Sequence, residues 1–265
     1  MENKEYVLNL SYGKDSLACL EAIKQLGYPL DRIVHVEVWA TDTITADLPP
    51  MVEFKKYADK IIKERYGYTV EHICAMRNGK KLTYERQFYD SFIKGKNKGE
   101  RYGFPMIRGA WCNDRLKVGL LNKLANKNTV KYIGIASDEP ERIKRHISSD
   151  KVLPLFDIGW DEAYCRQWCE DNDLLSPIYT ESTRGGCWFC HNQGVNQLRL
   201  LRKNYPDLWQ LLLKWDKDSP VTFKADGHTV KDFDNRFRLE DEMCLNPEST
   251  FRWSMLKEPL QIRLF

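Results

Sequence analysis

Short apolar segments alternate with segments of helical periodicity over the first half of the chain. The apolar segments cover residues 6–10, 33–39, 69–74 and 130–136, and the helical ones cover 16–26, 50–66 and 115–126. Short continuous apolar runs are typical of strands buried on both faces. Because a helix separates successive strands, the strands are expected to lie parallel with right-handed crossovers. The pattern therefore predicts an α/β fold with a doubly wound parallel sheet.

The second half of the chain has a different character. Strand signals fade beyond about residue 182, and residues 195–216 and 230–243 have the spacing of amphipathic helices. Residues 77–105 are charged, rich in lysine and glycine, and dotted with aromatic residues, which indicates an excursion from the sheet that covers a site. We therefore predict an α/β domain over 1–181 with an inserted cover segment at 77–105, followed by a mostly helical, cysteine-containing subdomain over 182–265.

Bulk composition excludes few classes of function. The chain carries 41 basic and 38 acidic residues, so overall charge does not demand a nucleic acid or an anionic membrane. It has no apolar stretch of the ~18 residues that a membrane span needs, and residues 1–5 lack the pattern of a signal peptide. We expect a soluble, cytoplasmic protein with no membrane partner. In that compartment the eight cysteines are expected to be thiols or metal ligands.

A polar hexapeptide, Ser11-Tyr12-Gly13-Lys14-Asp15-Ser16, follows the first predicted strand and precedes the first predicted helix. This order places backbone N–H groups at a helix N-terminus, where they can bind phosphate or pyrophosphate. Glycine permits close approach of the backbone, the serine hydroxyls can donate, and the lysine adds positive charge. The alternative is a polar turn that only caps the helix. The spacing matches neither the G-x-x-x-x-G-K-[ST] nor the G-x-G-x-x-G motif.

The hexapeptide resembles the pyrophosphate-binding PP-loop, S-x-G-K-D-S, of the adenine nucleotide α-hydrolase superfamily. Further segments, in family order across roughly residues 6–215, resemble the phosphoadenosine phosphosulfate (PAPS) reductase family within it. They read WATDTITADLPPMVEFKKYADKI, RGAWCNDRLKVGLLNKL, YIGIASDEPERIKRH and LPLFDIGWDEAYCRQWCEDNDLLSPIYTESTRGGCWFC. The resemblance implies an adenine nucleotide α-hydrolase-like fold, with the nucleotide-binding site in the domain over 1–181.

Site residues follow from this resemblance. It implies that residues 11–16 hold the nucleotide phosphates, with the Tyr12 ring shaping the pocket, and that Asp42 and Thr43 contact ribose or adenine at the carboxyl end of the second strand. The candidates for binding a terminal phosphate or sulfate are Arg108, Lys117, Arg142 and Arg145. For those four, a solvated surface charge is an equally good interpretation.

The pair Cys187 and Cys190 forms a C-x-x-C motif, which is compatible with zinc, an iron–sulfur cluster, a redox dithiol or coincidence. In the superfamily a thiol corresponding to Cys112 joins this motif to ligate a [4Fe-4S] cluster. The resemblance therefore implies that Cys112, Cys187 and Cys190 are metal ligands, and zinc is the alternative to the cluster. The candidates for a fourth ligand are Cys244, His191, Cys165 and Cys169. The last two stand at i and i+4, where packing is the favoured interpretation.

The chain departs from the family in two places. PAPS reductases carry a nucleophilic cysteine in a C-terminal Glu-Cys-Gly-Leu-His motif, which this sequence lacks. Cluster-binding adenylylsulfate reductases have a Cys-Cys pair where this chain has the single Cys112. The nucleotide site is therefore expected to carry over more securely than the reductase chemistry. No catalytic nucleophile is identified.

The function that the resemblance implies is that of an adenine-nucleotide-binding enzyme of sulfur chemistry, either an oxidoreductase or a sulfurtransferase. It would bind ATP with Mg²⁺, adenylylsulfate or PAPS, and would work with a sulfur donor or a reductant protein. One alternative is a non-catalytic regulatory module. The other is a component of nucleic-acid sulfur modification. One ground is that the segment RGGCWFC also resembles the cysteine segment of DNA phosphorothioation sulfur-transfer proteins. The second is that residues 94–108 are basic and contain aromatic rings, which are suited to contact phosphates and bases.

Overall fold

The computed structural model describes residues 4–106, 108–148, 150–180, 186–244 and 251–256. The chain divides into two compact units. The first comprises Met1–Arg86 and Trp111–Cys187, and the second comprises Gln87–Ala110 and Trp188–Phe265. The residues of the 77–105 segment thus fall in both units. The domain boundaries expected above, and the role of that segment as a cover, stay predictions.

A parallel five-stranded sheet forms the centre of the first unit. Its order is β3-β2-β1-β6-β7, and every neighbouring pair is parallel. The strands are β1 (Glu5–Asn9), β2 (Arg32–Glu37), β3 (Val70–Cys74), β6 (Thr129–Tyr132) and β7 (Lys151–Val152). The short antiparallel pair β4 (Met76–Arg77) and β5 (Lys80–Lys81) lies outside this sheet. The predicted α/β fold with a parallel sheet is confirmed.

Helices lie between these strands and after the last of them. They are α1 (Lys14–Gln25), α2 (Pro49–Tyr66), α3 (Tyr84–Tyr89), α4 (Trp111–Asn113), α5 (Gly119–Leu124), α6 (Pro140–His146), α7 (Pro154–Ile158) and α8 (Glu162–Asp171). A π-helical turn, Asp114–Val118, joins α4 to α5, and a 3-10 turn spans Pro177–Thr180. Helix α2 begins at Pro49, which needs no backbone partner for its nitrogen, and ends at Gly67 with φ 79°.

The strand predicted over residues 130–136 is shorter than expected. It ends at Tyr132, although Ile133 N–H still donates to the Val152 carbonyl at 3.1 Å. Its outer neighbour β7 has only two residues, so the ladder has no further partner there. Residues 133–136 remain apolar and largely buried, and this apolar character is what the sequence pattern registered as strand.

Three α-helices and a 3-10 turn, Trp253–Leu256, lie in the described C-terminal residues of the second unit, and the sequence predicted helices here. The α-helices are α9 (Val195–Asn204), α10 (Pro206–Asp218) and α11 (Val230–Glu242). Thr229 Oγ1 caps α11 by accepting from the Asp232 N–H, and the Asp232 carboxylate accepts from the Thr229 N–H. Trp209, Trp215 and Phe237 are almost fully buried in this unit. No helix among the described residues is long and apolar enough to cross a membrane.

Candidate functional site

The sheet order creates a crevice beside β1. From β1 the chain adds β2 and β3 on one side, and then returns to place β6 and β7 on the other side. Ligands of open parallel sheets bind outside the carboxyl ends of the strands at such a switch point. The loop over residues 11–16 leaves β1 there, and the segment over residues 133–139 leaves β6 there.

The hydroxyl groups of the loop are mostly used to hold the loop itself. Ser16 Oγ donates to the Gly13 carbonyl at 2.9 Å and accepts from the Ser11 N–H at 3.1 Å and from Ser11 Oγ at 3.0 Å. Ser16 is buried, whereas Ser11 is exposed. Because the one proton of the Ser16 hydroxyl is committed to Gly13, Ser16 shapes the loop, and Ser11 is the serine at its surface.

Lys14 brings a paired cation to the loop. Its Nζ lies 2.6 Å from Asp15 Oδ1 and 3.7 Å from Glu162 Oε1. Burial lowers the pKa of Lys14, but the bond to Asp15 and the charges of Asp15 and Glu162 outweigh burial and raise the pKa overall. Lys14 is therefore fully protonated at neutral pH, and its charge is partly neutralised by its own neighbour.

Two side chains from distant parts of the first unit bind the Lys14 backbone. The Lys14 N–H donates to the Tyr179 hydroxyl at 3.2 Å, and Cys169 Sγ donates to the Lys14 carbonyl at 3.4 Å. The first-turn N–H groups of a helix have no partner within the helix. Tyr179 therefore occupies one of the donors that an anion at this loop would use.

Gly134 lies directly against the N-terminus of α1. A Cβ atom at this position would stand 2.7 Å from the Asp15 carbonyl oxygen and 2.9 Å from Ser16 Cα. Both are backbone atoms, so no side-chain rotation would relieve the contact. The segment after β6 and the phosphate-binding loop candidate are thus packed as closely as a residue without a side chain allows.

Tyr12 has an unusual backbone conformation, and its buried side chain contacts a partly exposed polar cluster. Its φ is 58°, in the left-handed region, and its side chain is fully buried. The hydroxyl donates to Asp59 and lies 3.1 Å from His72 Nε2, while His72 contacts Asp59 at 2.9 Å and Glu37 at 3.1 Å. Bonds to Asp59 and Glu37 raise the pKa of His72 to about 9. The Tyr12 ring therefore belongs to the core, and only its backbone lies in the loop.

A second cluster supports the end of β1. His35 Nδ1 lies 2.8 Å from the Leu10 carbonyl oxygen, and His35 Nε2 lies 2.8 Å from Lys55 Nζ, which in turn contacts Asp47 at 2.5 Å. Burial and the Lys55 charge lower the pKa of His35 to about 4, so the ring is neutral. It therefore donates to Leu10 through Nδ1 and accepts from Lys55 through Nε2. Tyr12 stacks edge-on against this ring at 4.8 Å.

The two histidines are expected to make stability depend on pH in opposite directions. The pKa of His35 falls from 6.5 to about 4 on folding, so its contribution is full above pH 6.5 and is lost as the pH falls through 4. The pKa of His72 rises from 6.5 to about 9, so its contribution is full below pH 6.5 and is lost as the pH rises through 9. The contribution of the buried His35 amounts to about 3 kcal/mol, and that of the exposed His72 is smaller because solvent screens its ion pairs.

Urea unfolding midpoints measured from about pH 4 to about pH 10 should therefore peak near pH 6.5. The His72→Gln variant should lose the decline on the alkaline side and keep the decline on the acid side. A wild-type midpoint that stays constant between pH 6.5 and pH 9 would contradict the role given to His72.

The other predicted ligand-binding residues lie at several places. Asp42 and Thr43 are exposed in the segment after β2, where Asp42 accepts from Arg86 at 2.7 Å. Arg142 pairs with Glu139, and Arg145 donates to the Glu141 carbonyl at 2.9 Å, both on α6. Lys117 lies in the π-helical turn, half-buried. Arg108 belongs to the second unit, where it pairs with Glu100 at 2.7 Å.

Three cysteines of the first unit are core residues. Cys19, Cys165 and Cys169 are fully buried, and burial raises the pKa of both Cys165 and Cys169 to about 12. Both thiols lie in the hydrophobic core of the first unit, which favours the packing interpretation of this pair. Cys74, the last residue of β3, is half-buried.

The predicted metal ligands are divided between the two units. Among the described residues, no group of three or more His, Cys, Asp or Glu side chains is placed to hold a metal ion. Cys112 and Cys187 are half-buried in the first unit and Cys190 is half-buried in the second. The ligand set Cys112, Cys187 and Cys190 therefore stays a prediction.

The residues between and after the two motif cysteines have a clear structural role. Trp188 and Phe189 are buried in the second unit and lie 5.6 Å from the Trp215 ring. Lys224 donates to the His191 carbonyl at 2.6 Å and to the Gln193 carbonyl at 2.5 Å. His191 is buried and Cys244 is exposed. Within the second unit, the C-terminal end of the C-x-x-C motif is therefore firmly anchored.

Sequence reasoning missed the residues that support the loop. Gly134 and Tyr179 carry no local signal of their contacts with residues 13–16. Lys55 did carry one. It occupies a position in the apolar stripe of α2, between Met51 and Ala58, where a lysine requires a buried partner.

Comparison with known proteins gives limited likenesses. No family model matches the chain. It is 28% identical over 147 residues to the uncharacterized nin region protein ORF290 of Escherichia phage lambda, a match covering 53% of this chain and 48% of the phage protein. The match thus spans about half the length of that relative. The structure of U34-tRNA thiolase NcsA from Methanococcus maripaludis with its [4Fe-4S] cluster is similar at a TM-score of 0.37 and 14% identity, over 94% of this chain and 84% of that chain. At that TM-score the likeness supports no conclusion about this chain, and neither comparison assigns it to a family.

Proposed function

We propose that the chain binds an adenine nucleotide at the loop over residues 11–16 and uses it in sulfur chemistry. The observation that carries this proposal is the position of the loop, at the carboxyl end of the central strand and beside the switch point of a parallel sheet. The resemblance of this loop to a PP-loop, together with the PAPS reductase-like segments, gives the ligand class.

The chain's own groups suit a pyrophosphate or sulfate-bearing nucleotide. The first-turn N–H groups of α1 that Tyr179 does not occupy, together with the Lys14 ammonium, would stabilise the negative charge of a bound nucleotide. Ser11, at the surface of the loop, supplies a further hydroxyl. In an ATP-dependent reaction these groups would bind the departing pyrophosphate. In a sulfonucleotide reaction they would bind the departing adenosine phosphate.

The proposal is tested by titration calorimetry with ATP, adenylylsulfate, PAPS and, as a base control, GTP. We expect at least one adenine nucleotide to bind and inorganic pyrophosphate to compete with it. Lys14→Gln should weaken that binding by about 10- to 100-fold, the value of a hydrogen bond to a charged group. Lys24→Gln, near the other end of α1, is the matched control and should bind like the wild type.

Two results would contradict the proposal. One is no binding of any of the three adenine nucleotides, and the other is equal affinity of the Lys14→Gln and Lys24→Gln variants. Once a nucleotide binds, the products separate the two reaction classes. Release of pyrophosphate from ATP indicates adenylation and sulfur transfer, whereas release of an adenosine phosphate from a sulfonucleotide indicates reduction.

A further inference from the structure

The net positive charge of the chain is concentrated in one short segment of the second unit. Residues 87–110 contain five basic residues (Lys and Arg) and two acidic residues (Asp and Glu). The whole chain contains 41 basic and 38 acidic residues. The rest of the chain therefore carries 36 of each. The nearly neutral overall balance conceals a local excess of three positive charges, equal to the formal charge of the whole protein.

The centre of this segment is a loop with a defined backbone, residues 92–100, which we call the basic loop. Its base is closed by an antiparallel bridge between Ser91 and Arg101. The Phe92 N–H donates to the Glu100 carbonyl at 2.9 Å, and the Gly99 N–H returns a bond to the Phe92 carbonyl at 2.8 Å. Gly95 and Gly99 adopt φ angles of 83° and 85°, which turn the chain back on itself.

Three lysines of the basic loop have no ionic partner. Lys94, Lys96 and Lys98 are exposed, and their side chains make no hydrogen bond or ion pair with any described residue. The nearest acidic residues in sequence are engaged elsewhere, since Glu100 accepts from Arg108 at 2.7 Å and Asp90 accepts from the Ser91 N–H at 2.9 Å. The loop thus presents three uncompensated cations within five residues.

The aromatic rings beside the loop are occupied by contacts within the second unit. Phe92 stacks on Tyr102 at 3.9 Å, and the Arg108 guanidinium lies 5.5 Å from the Phe92 ring centre. Arg101 lies 5.1 Å from the Tyr89 ring centre. The rings within residues 94–108, Tyr102 and Phe104, are buried, so the hypothesis that they stack on bases is not supported. The rings pack beneath the basic loop and support it, so the groups that the loop exposes to a partner are its positive charges.

We infer that the basic loop contacts the phosphate backbone of a single-stranded nucleic acid. Residues 94–98 span at most about 14 Å, a length that matches a few successive phosphates of one strand. A membrane surface fits less well, because Ile93 is the one large exposed apolar side chain of residues 92–100, and stable membrane docking needs a broad apolar face. An acidic protein partner also fits less well, because protein interfaces need an apolar centre and the basic loop exposes only one large apolar side chain.

The chemistry of the contact fixes how it should respond to salt. Each lysine that neutralises a phosphate of a single strand contributes about −0.7 to the slope of log K against log salt concentration. Three lysines therefore contribute about −2 to that slope. Because phosphates carry no base identity, binding should show little sequence preference and should be similar for RNA and DNA.

The test is fluorescence anisotropy of the full chain with labelled oligouridylate and oligodeoxythymidylate of about 20 nucleotides, between about 50 and 200 mM salt. We expect both to bind, with affinity that falls as salt rises. The variant Lys94→Gln/Lys96→Gln/Lys98→Gln should have a slope less steep by about 2 and an affinity at least tenfold lower at the lowest salt, about 50 mM. The control Lys56→Gln/Lys60→Gln/Lys144→Gln removes three exposed lysines that pair with glutamates and should behave like the wild type.

Several outcomes would overturn the inference. They are no binding of either oligonucleotide, a slope in the loop variant equal to that of the wild type, and equal losses in the loop variant and its control. Binding to vesicles of phosphatidylserine that is lost in the loop variant, without oligonucleotide binding, would assign the loop to a membrane instead. None of these measurements requires a nucleotide at residues 11–16, so the result is independent of the function proposed above.

Discussion

Replacing Lys55 with methionine is expected to lower the free energy of unfolding by about 3–5 kcal/mol. Lys55 is 6% exposed, and its ammonium contacts Asp47 at 2.5 Å and His35 at 2.8 Å. Methionine fills similar space but leaves the Asp47 carboxylate without its cation and His35 Nε2 without its donor. Equilibrium unfolding in urea at pH 7, followed by circular dichroism, measures the change.

Lys56 provides the matched control, because it is the next residue of the same helix and is 69% exposed beside Glu53. Lys56→Met should change the free energy of unfolding by no more than about 0.5 kcal/mol. The double variant Lys55→Met/Asp47→Leu should recover part of the loss, since it removes the stranded carboxylate. Equal effects of Lys55→Met and Lys56→Met would show that the buried pair does not support the fold.

Gly134→Ala is expected to damage both stability and the candidate nucleotide site. The added methyl group would stand 2.7 Å from the Asp15 carbonyl oxygen, so the N-terminus of α1 must move away from the segment after β6. Overpacking of this kind costs about 1–3 kcal/mol. If the loop over residues 11–16 binds ATP, the displaced N–H groups should weaken that binding by about tenfold or more, as calorimetry would show.

Gly186→Ala is the control for this substitution, because a Cβ at Gly186 meets no atom within 4 Å. It should leave both the unfolding midpoint and nucleotide affinity unchanged. If the Gly134→Ala variant is as stable as the wild type, the segment after β6 can move to accommodate the methyl group. That segment would then not fix the position of the loop over residues 11–16.

The sheet could be predicted because its signals are local. Strands buried on both faces appear as continuous apolar runs, as in residues 6–10 and 33–39. The limits of α2 were marked by Pro49 and Gly67, whose backbone preferences act at their own positions. The strand predicted over residues 130–136 was correctly recognised as buried, but its length was wrong. It ends early because its neighbour β7 is short, and β7 begins 19 residues after the end of β6.

The support of the loop could not be predicted because it depends on distant contacts. Tyr179 meets Lys14 across 165 positions of sequence, and Tyr12 meets His72 across 60. The sequence suggested that the Tyr12 ring borders a nucleotide pocket, since Tyr12 stands inside the polar hexapeptide. A left-handed backbone turns the side chain into the core instead, and a tyrosine gives no local sign of that conformation.

The cysteine pattern shows a second limit of spacing arguments. The residues between Cys187 and Cys190 are Trp188 and Phe189, which pack with Trp215 in the core of the second unit. A C-x-x-C spacing limits only the distance between the two sulfur atoms. The burial of the two large side chains between the cysteines can determine the backbone conformation of this segment without a metal. The spacing therefore does not by itself establish a metal site.

The Tyr179 hydroxyl makes anion binding at α1 an exchange reaction. An anion that takes the Lys14 N–H must first break a bond already formed at 3.2 Å, so its measured affinity is the difference between two bonds. That difference lowers the apparent affinity by a factor of about five, given about 1 kcal/mol for one hydrogen bond. The displaced tyrosine stands eight residues before Cys187 in the same unit. Occupancy of the Lys14 N–H by an anion and its bond to the Tyr179 hydroxyl are thereby linked thermodynamically, and each weakens the other to the same extent.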